Sequence, residues 1–273
     1  MNPAVEDFLS GLSSQRTIDR YRAALEEFAA WYRQTNGTEP DWQLLTAVEV
    51  RDYIAHLQAV RRLSPASVNL RLAAIRSLLR HLGRSLRVRG PKQELPPIKA
   101  LTPRELGRLL AAAESNPRDY AILNLLARAG LRVSEVTALR LEDVELNGRS
   151  GWLTIKSGKG NKTRRVPLGS EARQILKAWL DVRPKAQAQT VFVSRSGLPL
   201  NTRDVQRIVA EYARTAKVEC TPHTLRHTFA TRAVEKGVDL ATLQALLGHT
   251  RLETAGRYLH PTAERMQEAV EGL

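Results

Sequence analysis

The chain has 273 residues, with 42 lysines and arginines against 28 acidic residues and a formal charge of +14. A charge of this size indicates a polyanionic partner, with duplex DNA as the first candidate. The alternative is that the charge serves only to keep the protein soluble. Apolar residues make up 42% of the chain and aromatic residues only 5%, so the core is expected to consist of leucine, alanine and valine on helices. The single cysteine, Cys220, excludes an intramolecular disulfide and a cysteine-based zinc site, which fits a protein of the reducing cytoplasm. The sequence has no long apolar run and no signal-peptide pattern, so no membrane segment is expected.

A proline-rich segment divides the chain into two parts. It contains the consecutive prolines Pro96 and Pro97, which resist helix formation and keep the backbone extended. We therefore predict an N-terminal domain over residues 1–88, a linker over 89–100 and a C-terminal domain over 101–273.

The N-terminal domain is predicted to be a small bundle of helices. Apolar residues recur at helical spacing over residues 16–32 and 48–60, and a short opening helix is expected over 4–12. Ser64 followed by Pro65 is typical of a helix start, because serine caps the free amide groups and proline has no amide hydrogen to leave unpaired.

Basic residues are concentrated in one part of this bundle. Residues 54–92 include nine basic residues and no acidic one. If the last helix continues, four of its arginines form one stripe opposite the apolar face, and such a stripe repels itself unless phosphates bind it. A solvated basic face is the alternative, but surface helices usually mix charges of both signs. The predicted DNA contacts are Arg71, Arg76, Arg80, Arg84 and Arg87.

The C-terminal domain is predicted to be mostly helical with one small antiparallel sheet. Thr102 and Glu105 have the spacing of a capping box, and Asn116 begins a second helix that Gly130 ends. Helices resume at Thr202. Strand-like runs occupy residues 143–146, 152–156 and 164–168, and residues 190–193 are expected to form a fourth strand. The predicted class of the whole chain is therefore mainly α, with a mixed α/β second domain.

The segment from Gly130 to Glu135 joins two helices and carries a candidate phosphate ligand. Ser134 is the predicted N-cap of the second helix, so Arg132 lies just before a helix N-terminus, whose partial positive charge favours an anion. Glu135 can hold a nearby arginine or histidine in place. Taken alone, Arg132 can equally be an ordinary surface arginine in a loop.

A lysine lies at the predicted tip of the hairpin. Lys159 stands between Gly158 and Gly160, and glycines allow a tight turn and a close approach of the backbone to a ligand. An ordinary hairpin lysine is the alternative. Lys162 of the same turn is a candidate DNA contact. The turn lacks the residue spacing of a Walker A loop, so ATP is not implied, and we predict no cofactor and no metal.

A histidine and an arginine are predicted to share the first turn of a later helix. Thr221 and Pro222 mark its start, so His223 and Arg226 fall three residues apart on one face. His227 points elsewhere and is expected to pack or bond internally.

Two further candidates complete the set. Asp239 is predicted to cap a helix that Gly248 ends, and this turn delivers His249 at a defined position. Tyr258 lies about two turns into the next helix. Alone, each of these residues would more often have a packing role. Together, these residues supply the groups needed to attack a phosphodiester without a metal. Arginine holds the phosphate, histidine transfers protons, and tyrosine bonds covalently to phosphorus.

In this order, these motifs resemble those of the tyrosine recombinases of the phage-integrase family, and most closely its compact Xer-type members. The likeness covers nearly the whole chain. The carrying residues are Gly-Leu-Arg132-Val-Ser-Glu135, Gly-Lys159-Gly-Asn-Lys162, His223-Thr-Leu-Arg226-His, Leu-Gly-His249 and Tyr258. The resemblance implies a SAM-like core-binding domain that clamps DNA, followed by a catalytic domain with the DNA breaking-rejoining fold. No additional arm-binding domain is expected from this sequence.

The resemblance also implies how the phosphate is attacked. Tyr258 would attack a DNA phosphate and leave a 3′-phosphotyrosyl link and a free 5′-hydroxyl. Arg132 and Arg226 would hold the non-bridging oxygens and stabilise the extra charge of the transition state. Lys159 would protonate the departing 5′-oxygen.

Three residues would assist this step. His223 would help to move the proton from the tyrosine, His249 would donate a hydrogen bond to the phosphate, and Glu135 would orient the site. A 5′-hydroxyl from another duplex can reverse the step through a Holliday junction without ATP or metal, because the phosphotyrosine keeps the bond energy.

The implied partner is duplex DNA with a specific recombination site. The protein is expected to be a monomer when free and a homotetramer, or a heterotetramer with a paralogue, on DNA. Residues 261–273 would either pack on their own domain or dock on a neighbouring subunit. The biological role would be chromosome-dimer resolution or mobile-element integration and excision. The alternatives are DNA relaxation by a type IB topoisomerase and a non-catalytic DNA-binding relative.

Overall fold

The computed structural model describes residues 2–92, 99–156 and 163–248. Contacts within the chain divide it into two units, Met1–Pro96 and Pro97–Leu273. Among the described residues, no helix combines the length and the apolar character that a bilayer crossing requires.

Four helices form the described part of the N-terminal unit. They are α1 (Pro3–Ser10), α2 (Gln15–Asn36), α3 (Ala47–Ala59) and α4 (Pro65–His81). The predicted start of α4 is confirmed, because the Ser64 side chain accepts a hydrogen bond from the amide of Ser67 and Pro65 follows it. The helical bundle expected here is therefore present.

Aromatic side chains hold the centre of this bundle. Phe28 is fully buried, with its ring centroid 5.0 Å from that of Tyr53 and 5.3 Å from that of Trp42. The expected leucine, alanine and valine residues make up most of the core of this unit, and these aromatic side chains pack among them. Seven of the 14 aromatic residues of the chain lie in this shorter unit, where their large side chains contribute much of the buried surface.

The continuous arginine stripe predicted on α4 is wrong. The helix ends at His81, and Gly83 has a left-handed φ of 74° that turns the chain away. Arg84 folds back and donates hydrogen bonds to the carbonyl oxygens of Trp42 (2.8 Å) and Leu45 (2.9 Å).

Two other arginines of the predicted DNA contacts also have partners within the unit, whereas two are open to solvent. Arg71 donates to Glu27 at 2.7 Å, and Arg76 donates to the carbonyl oxygen of Val88. Arg80 and Arg87 are exposed.

The second unit contains seven described helices and one described three-stranded sheet. The helices are α5 (Pro103–Ala113), α6 (Pro117–Arg128), α7 (Val133–Ala138), α8 (Ser170–Val182), α9 (Thr202–Thr215), α10 (Pro222–Glu235) and α11 (Leu240–Leu247). The strands are β1 (Val144–Leu146), β2 (Gly151–Lys156) and β3 (Thr163–Pro167), antiparallel in that order.

A fourth strand was predicted in this unit but is not formed, and one helix is present that was not predicted. Residues 190–193 do not form a fourth strand, because Thr190 and Val193 make isolated bridges with Arg140 and Pro199. Helix α8 was not predicted, although its buried residues follow helical spacing: Ala172, Leu176 and Trp179.

Helix α6 lies at the centre of the unit. Residues 121–127 are all buried, as expected of a helix that is apolar nearly all round. Its one buried amide, Asn124, donates to the carbonyl oxygen of Tyr120 and accepts from Arg128. Helices α8 and α10 pack against α6, and the first turns of α10 carry residues of the site described next.

Candidate active site

A glycine turn places Arg132 at the start of α7. Helix α6 ends at Arg128, and Gly130 has a left-handed φ of 63°. A β-carbon on Gly130 would lie 2.4 Å from the ring of Phe229, so both the backbone conformation and the packing require glycine. The N-cap of α7 is Arg132 itself, not Ser134 as predicted, because the Glu135 carboxylate accepts the Arg132 amide hydrogen at 2.7 Å.

Helix α10 carries the second arginine into the interior. Thr221 caps this helix and Pro222 opens it, as predicted. The Arg226 side chain is only 3% exposed, and its guanidinium donates to the carbonyl oxygens of Gly130 and Leu247. It therefore ties the turn before α7 to the end of α11.

Glu135 lies at the centre of the cluster. Its side chain is 9% exposed, and it accepts hydrogen bonds from Arg132 Nη1 (2.8 Å) and from both Nη atoms of Arg164 (2.8 Å each). Arg226 Nη1 is 3.8 Å from Oε2. Burial alone would raise the pKa of Glu135, but the bonds from Arg164 and Arg132 outweigh it and lower the pKa to about 2.

Three guanidinium groups converge on the C-terminal end of α11. Arg164 Nε donates to the carbonyl oxygen of Leu246 at 2.9 Å, Arg226 to that of Leu247, and Arg132 Nη2 to that of Gly248 at 3.2 Å. The last carbonyl groups of a helix lack helical partners and carry partial negative charge, which cations stabilise. His249 follows Gly248 directly in sequence.

The cluster is strongly positive. Arg132, Arg164 and Arg226 surround the single carboxylate of Glu135, which leaves a net charge of +2. A phosphodiester carries one negative charge, and its transition state for substitution carries two, so this cluster is suited to bind and activate a phosphate.

His223 lies on the first turn of α10. Partial burial, and then the positive charges of Arg226 and Arg132, lower its pKa from the ordinary value of 6.5. The imidazole is therefore neutral at pH 7 and can accept a proton. The ring of His227 lies edge-on to it, with centroids 4.2 Å apart, and is half-buried, in keeping with its predicted packing role.

The structure brings together four predicted residues of the site: Arg132, Glu135, His223 and Arg226. The other predicted residues lie outside the described residues, namely Lys159, Lys162, His249 and Tyr258.

Sequence reasoning missed Arg164, although a signal was present. Every second residue of a strand points to the same face, and Val166 and Leu168 are buried. Arg164 lies two residues before Val166, so it is a charged residue at a position that should face inward.

Two family models match the chain. The model of the Phage integrase family covers residues 99–265, and that of the Phage integrase N-terminal SAM-like domain covers residues 8–85.

Individual relatives agree with these matches. The tyrosine recombinase XerC of Pelobacter propionicus is 37% identical, covering 94% of this chain and 89% of its own length. XerA of Pyrococcus furiosus is 34% identical, covering 94% and 88%. The crystal structure of the XerH recombinase in a post-cleavage complex with a palindromic difH substrate is 22% identical and shares the fold, with a TM-score of 0.78 over 93% of this chain and 79% of that one.

The chain therefore belongs to the phage integrase family. Its homologues are Xer tyrosine recombinases. This homology supports site-specific DNA recombination as the function of the chain, which is therefore an enzyme that transfers DNA strands. The resemblance seen in the sequence motifs and the predicted fold class, mainly helical with a small antiparallel sheet and a SAM-like N-terminal domain, are both confirmed.

Proposed function

We propose that this enzyme cuts duplex DNA at a specific site through a covalent link to Tyr258 and rejoins it to a second duplex. One observation carries the proposal: Arg132 and Arg226 reach the same buried carboxylate from two different helices, with His223 on the turn that carries Arg226. This arrangement concentrates positive charge and a neutral proton acceptor at one place.

The two arginines act on the phosphate. Main-chain carbonyl oxygens accept hydrogen bonds from Arg132 and Arg226 in the free protein. The non-bridging oxygens of a DNA phosphate are charged acceptors, so they form stronger bonds to the same guanidinium groups. The extra negative charge of the transition state strengthens these bonds further, and this difference lowers the barrier.

Proton transfer accompanies the exchange of bonds at phosphorus. The Tyr258 oxygen forms a bond to phosphorus while the bond to the 5′-oxygen breaks. His223, neutral at pH 7, takes the tyrosine proton, and Lys159 gives a proton to the departing 5′-oxygen. His249 donates a hydrogen bond to the phosphate, and Glu135 holds the arginines. Attack by another 5′-hydroxyl reverses the step without ATP or a metal, by way of a Holliday junction.

The partner is duplex DNA bound by both parts of the chain. Residues 1–88 act as the core-binding domain and residues 101–273 as the catalytic domain, joined by a linker over 89–100. On DNA four subunits assemble, either identical or with a paralogue, and residues 261–273 either pack on their own domain or dock on the neighbouring subunit. The high positive charge supports the DNA partner.

A nicked suicide substrate tests this proposal. The duplex is first recovered by binding selection from random-sequence DNA and then nicked next to the cleavage position, so that a covalent adduct accumulates. We expect the adduct with the wild-type chain, also in the presence of a chelator, and no adduct with Tyr258→Phe. Tyr120→Phe is the matched control. An adduct formed by Tyr258→Phe would refute the nucleophile, and relaxation of any supercoiled DNA without Holliday junctions would indicate topoisomerase activity instead.

A further inference from the structure

Arg164 joins β3 to two parts of the site. Its Nη atoms each donate to one oxygen of Glu135 at 2.8 Å, and its Nε donates to the carbonyl oxygen of Leu246 at 2.9 Å. The side chain is only 14% exposed. All three nitrogen atoms of the guanidinium, Nε, Nη1 and Nη2, thus donate to an acceptor, and these bonds hold the group in one orientation.

The chain leaves room for this guanidinium at the end of α11. Gly248 has a left-handed φ of 62°, and a β-carbon there would lie 2.7 Å from Arg164 Nη1. Arg164 therefore occupies the space that a side chain at position 248 would need. Its place is defined by packing as well as by hydrogen bonds.

The charges around Glu135 show what Arg164 contributes. A carboxylate with 9% exposure needs compensating positive charge. Arg164 supplies it through a two-point contact, whereas Arg132 makes a single side-chain bond and Arg226 lies at 3.8 Å. If Arg164 were absent, Glu135 would draw on Arg132 and Arg226, the two groups proposed to hold the phosphate.

We propose that Arg164 is a positioning residue, which neutralises Glu135 and thereby allows Arg132 and Arg226 to act on the DNA phosphate. This inference rests on the proposed function of the site and deepens it. Among the described residues, the Arg164 side chain bonds to Glu135 and to the carbonyl oxygen of Leu246.

The next residue on the strand provides a matched control. Arg165 points to the other face of the sheet, where its side chain is 53% exposed, pairs with Glu145 at 2.6 Å and lies over the ring of Trp152 at 4.9 Å. Arg164→Gln and Arg165→Gln remove the same charge from the same strand. Only the first removes the counter-charge of Glu135.

The experiment is a double-mutant cycle on the full chain, read as the single-turnover rate of adduct formation on the selected nicked duplex at saturating protein. Arg164→Gln should slow the rate on the order of 10- to 100-fold, as expected for a displaced catalytic group. The affinity for the uncleaved duplex should change much less, and Arg165→Gln should keep the wild-type rate. In a Glu135→Gln background, Arg164→Gln should have little further effect, because no buried charge remains to be neutralised.

Other outcomes decide against the inference. An equal loss from Arg164→Gln with and without Glu135→Gln would mean that Arg164 acts independently of the carboxylate. If Arg164→Gln fails to fold by circular dichroism, Arg164→Lys replaces it, and its rate should lie between those of the wild type and of Glu135→Gln. A rate of Arg164→Lys below that of Glu135→Gln would overturn the inference. A wild-type chain without any adduct would instead refute the proposed function.

Discussion

The guanidinium of Arg226 donates a hydrogen bond to the carbonyl oxygen of Leu247, the last residue of α11. A second bond reaches the carbonyl oxygen of Gly130, so one buried side chain joins segments on either side of it in the chain. The residue proposed to hold the phosphate is thus also a structural tie, and stability and activity are coupled at this position.

Arg226→Lys should therefore lower both properties. Lysine keeps the charge but lacks the planar fork that reaches two acceptors. We expect a loss of about 1–3 kcal/mol in the free energy of unfolding, measured with urea. Adduct formation should slow on the order of 10²- to 10³-fold. Arg232→Lys, on the same helix, is the control, and equal urea midpoints for the two variants would contradict the structural part of this prediction.

Gly130→Ala should destabilise the second unit. The substitution places a β-carbon 2.4 Å from the Phe229 ring at a backbone φ of 63°, and such strain costs about 1–3 kcal/mol. Gly107→Ala is the matched control, since Gly107 lies within α5 with open space around it and alanine should stabilise that helix by about 0.5–1 kcal/mol. In thermal denaturation, the unfolding midpoint should fall for Gly130→Ala and rise for Gly107→Ala.

Glu135 should make the fold sensitive to acid. Its pKa is about 2 in the folded chain against an ordinary value of 4.5, so the ionised carboxylate stabilises the folded state. This contribution is complete above the ordinary pKa and is lost as the pH falls towards 2, and it is on the order of 3 kcal/mol.

Glu135→Gln removes that dependence. The stability difference between the wild type and this variant should shrink when urea denaturation is repeated from about pH 5 down to about pH 3. The exposed Glu145→Gln should not show this narrowing. A constant difference between the wild type and Glu135→Gln would contradict the assignment.

The arginines after α4 should separate into two kinds. Arg84→Met removes two hydrogen bonds to main-chain carbonyl oxygens, so it should lower the stability of the N-terminal unit by about 1–3 kcal/mol. Arg87→Met should leave stability unchanged but weaken DNA binding and reduce the slope of log affinity against log salt by about 1. The opposite pattern would show that Arg84, not Arg87, contacts phosphate.

His223 should set the acid limb of the cleavage reaction. Burial and the charges of Arg226 and Arg132 lower its pKa below 6.5, so the imidazole becomes protonated only in more acidic solution. The single-turnover rate should fall as the pH drops through that lowered value, because the protonated ring cannot accept the tyrosine proton. His223→Gln should be slower and lack this limb. An identical acid limb in His223→Gln would assign the titration to another group.

Local features of the sequence were sufficient for most of the elements. The caps at Ser64, Thr102, Asn116 and Asp239 all lie where their side chains predicted helix starts, since capping involves residues only two or three positions apart. The chemistry of Arg132, Glu135, His223 and Arg226, and the resemblance of their motifs to those of the tyrosine recombinases, placed them in one functional set. Their order and spacing, together with the charge, were enough to predict the family and a DNA partner.

Only the tertiary structure decided which arginines serve the site and which serve the fold. The periodicity of α4 extended the helix past Gly83, and nothing local showed that Arg84 turns inward to carbonyl groups about forty residues earlier in the chain. Arg164 was passed over for the same reason, because its partners Glu135 and Leu246 are distant in sequence. A guanidinium binds any acceptor that folding brings within reach, so the sequence determined which charges exist and the packing of β3, α7 and α11 determined what they hold.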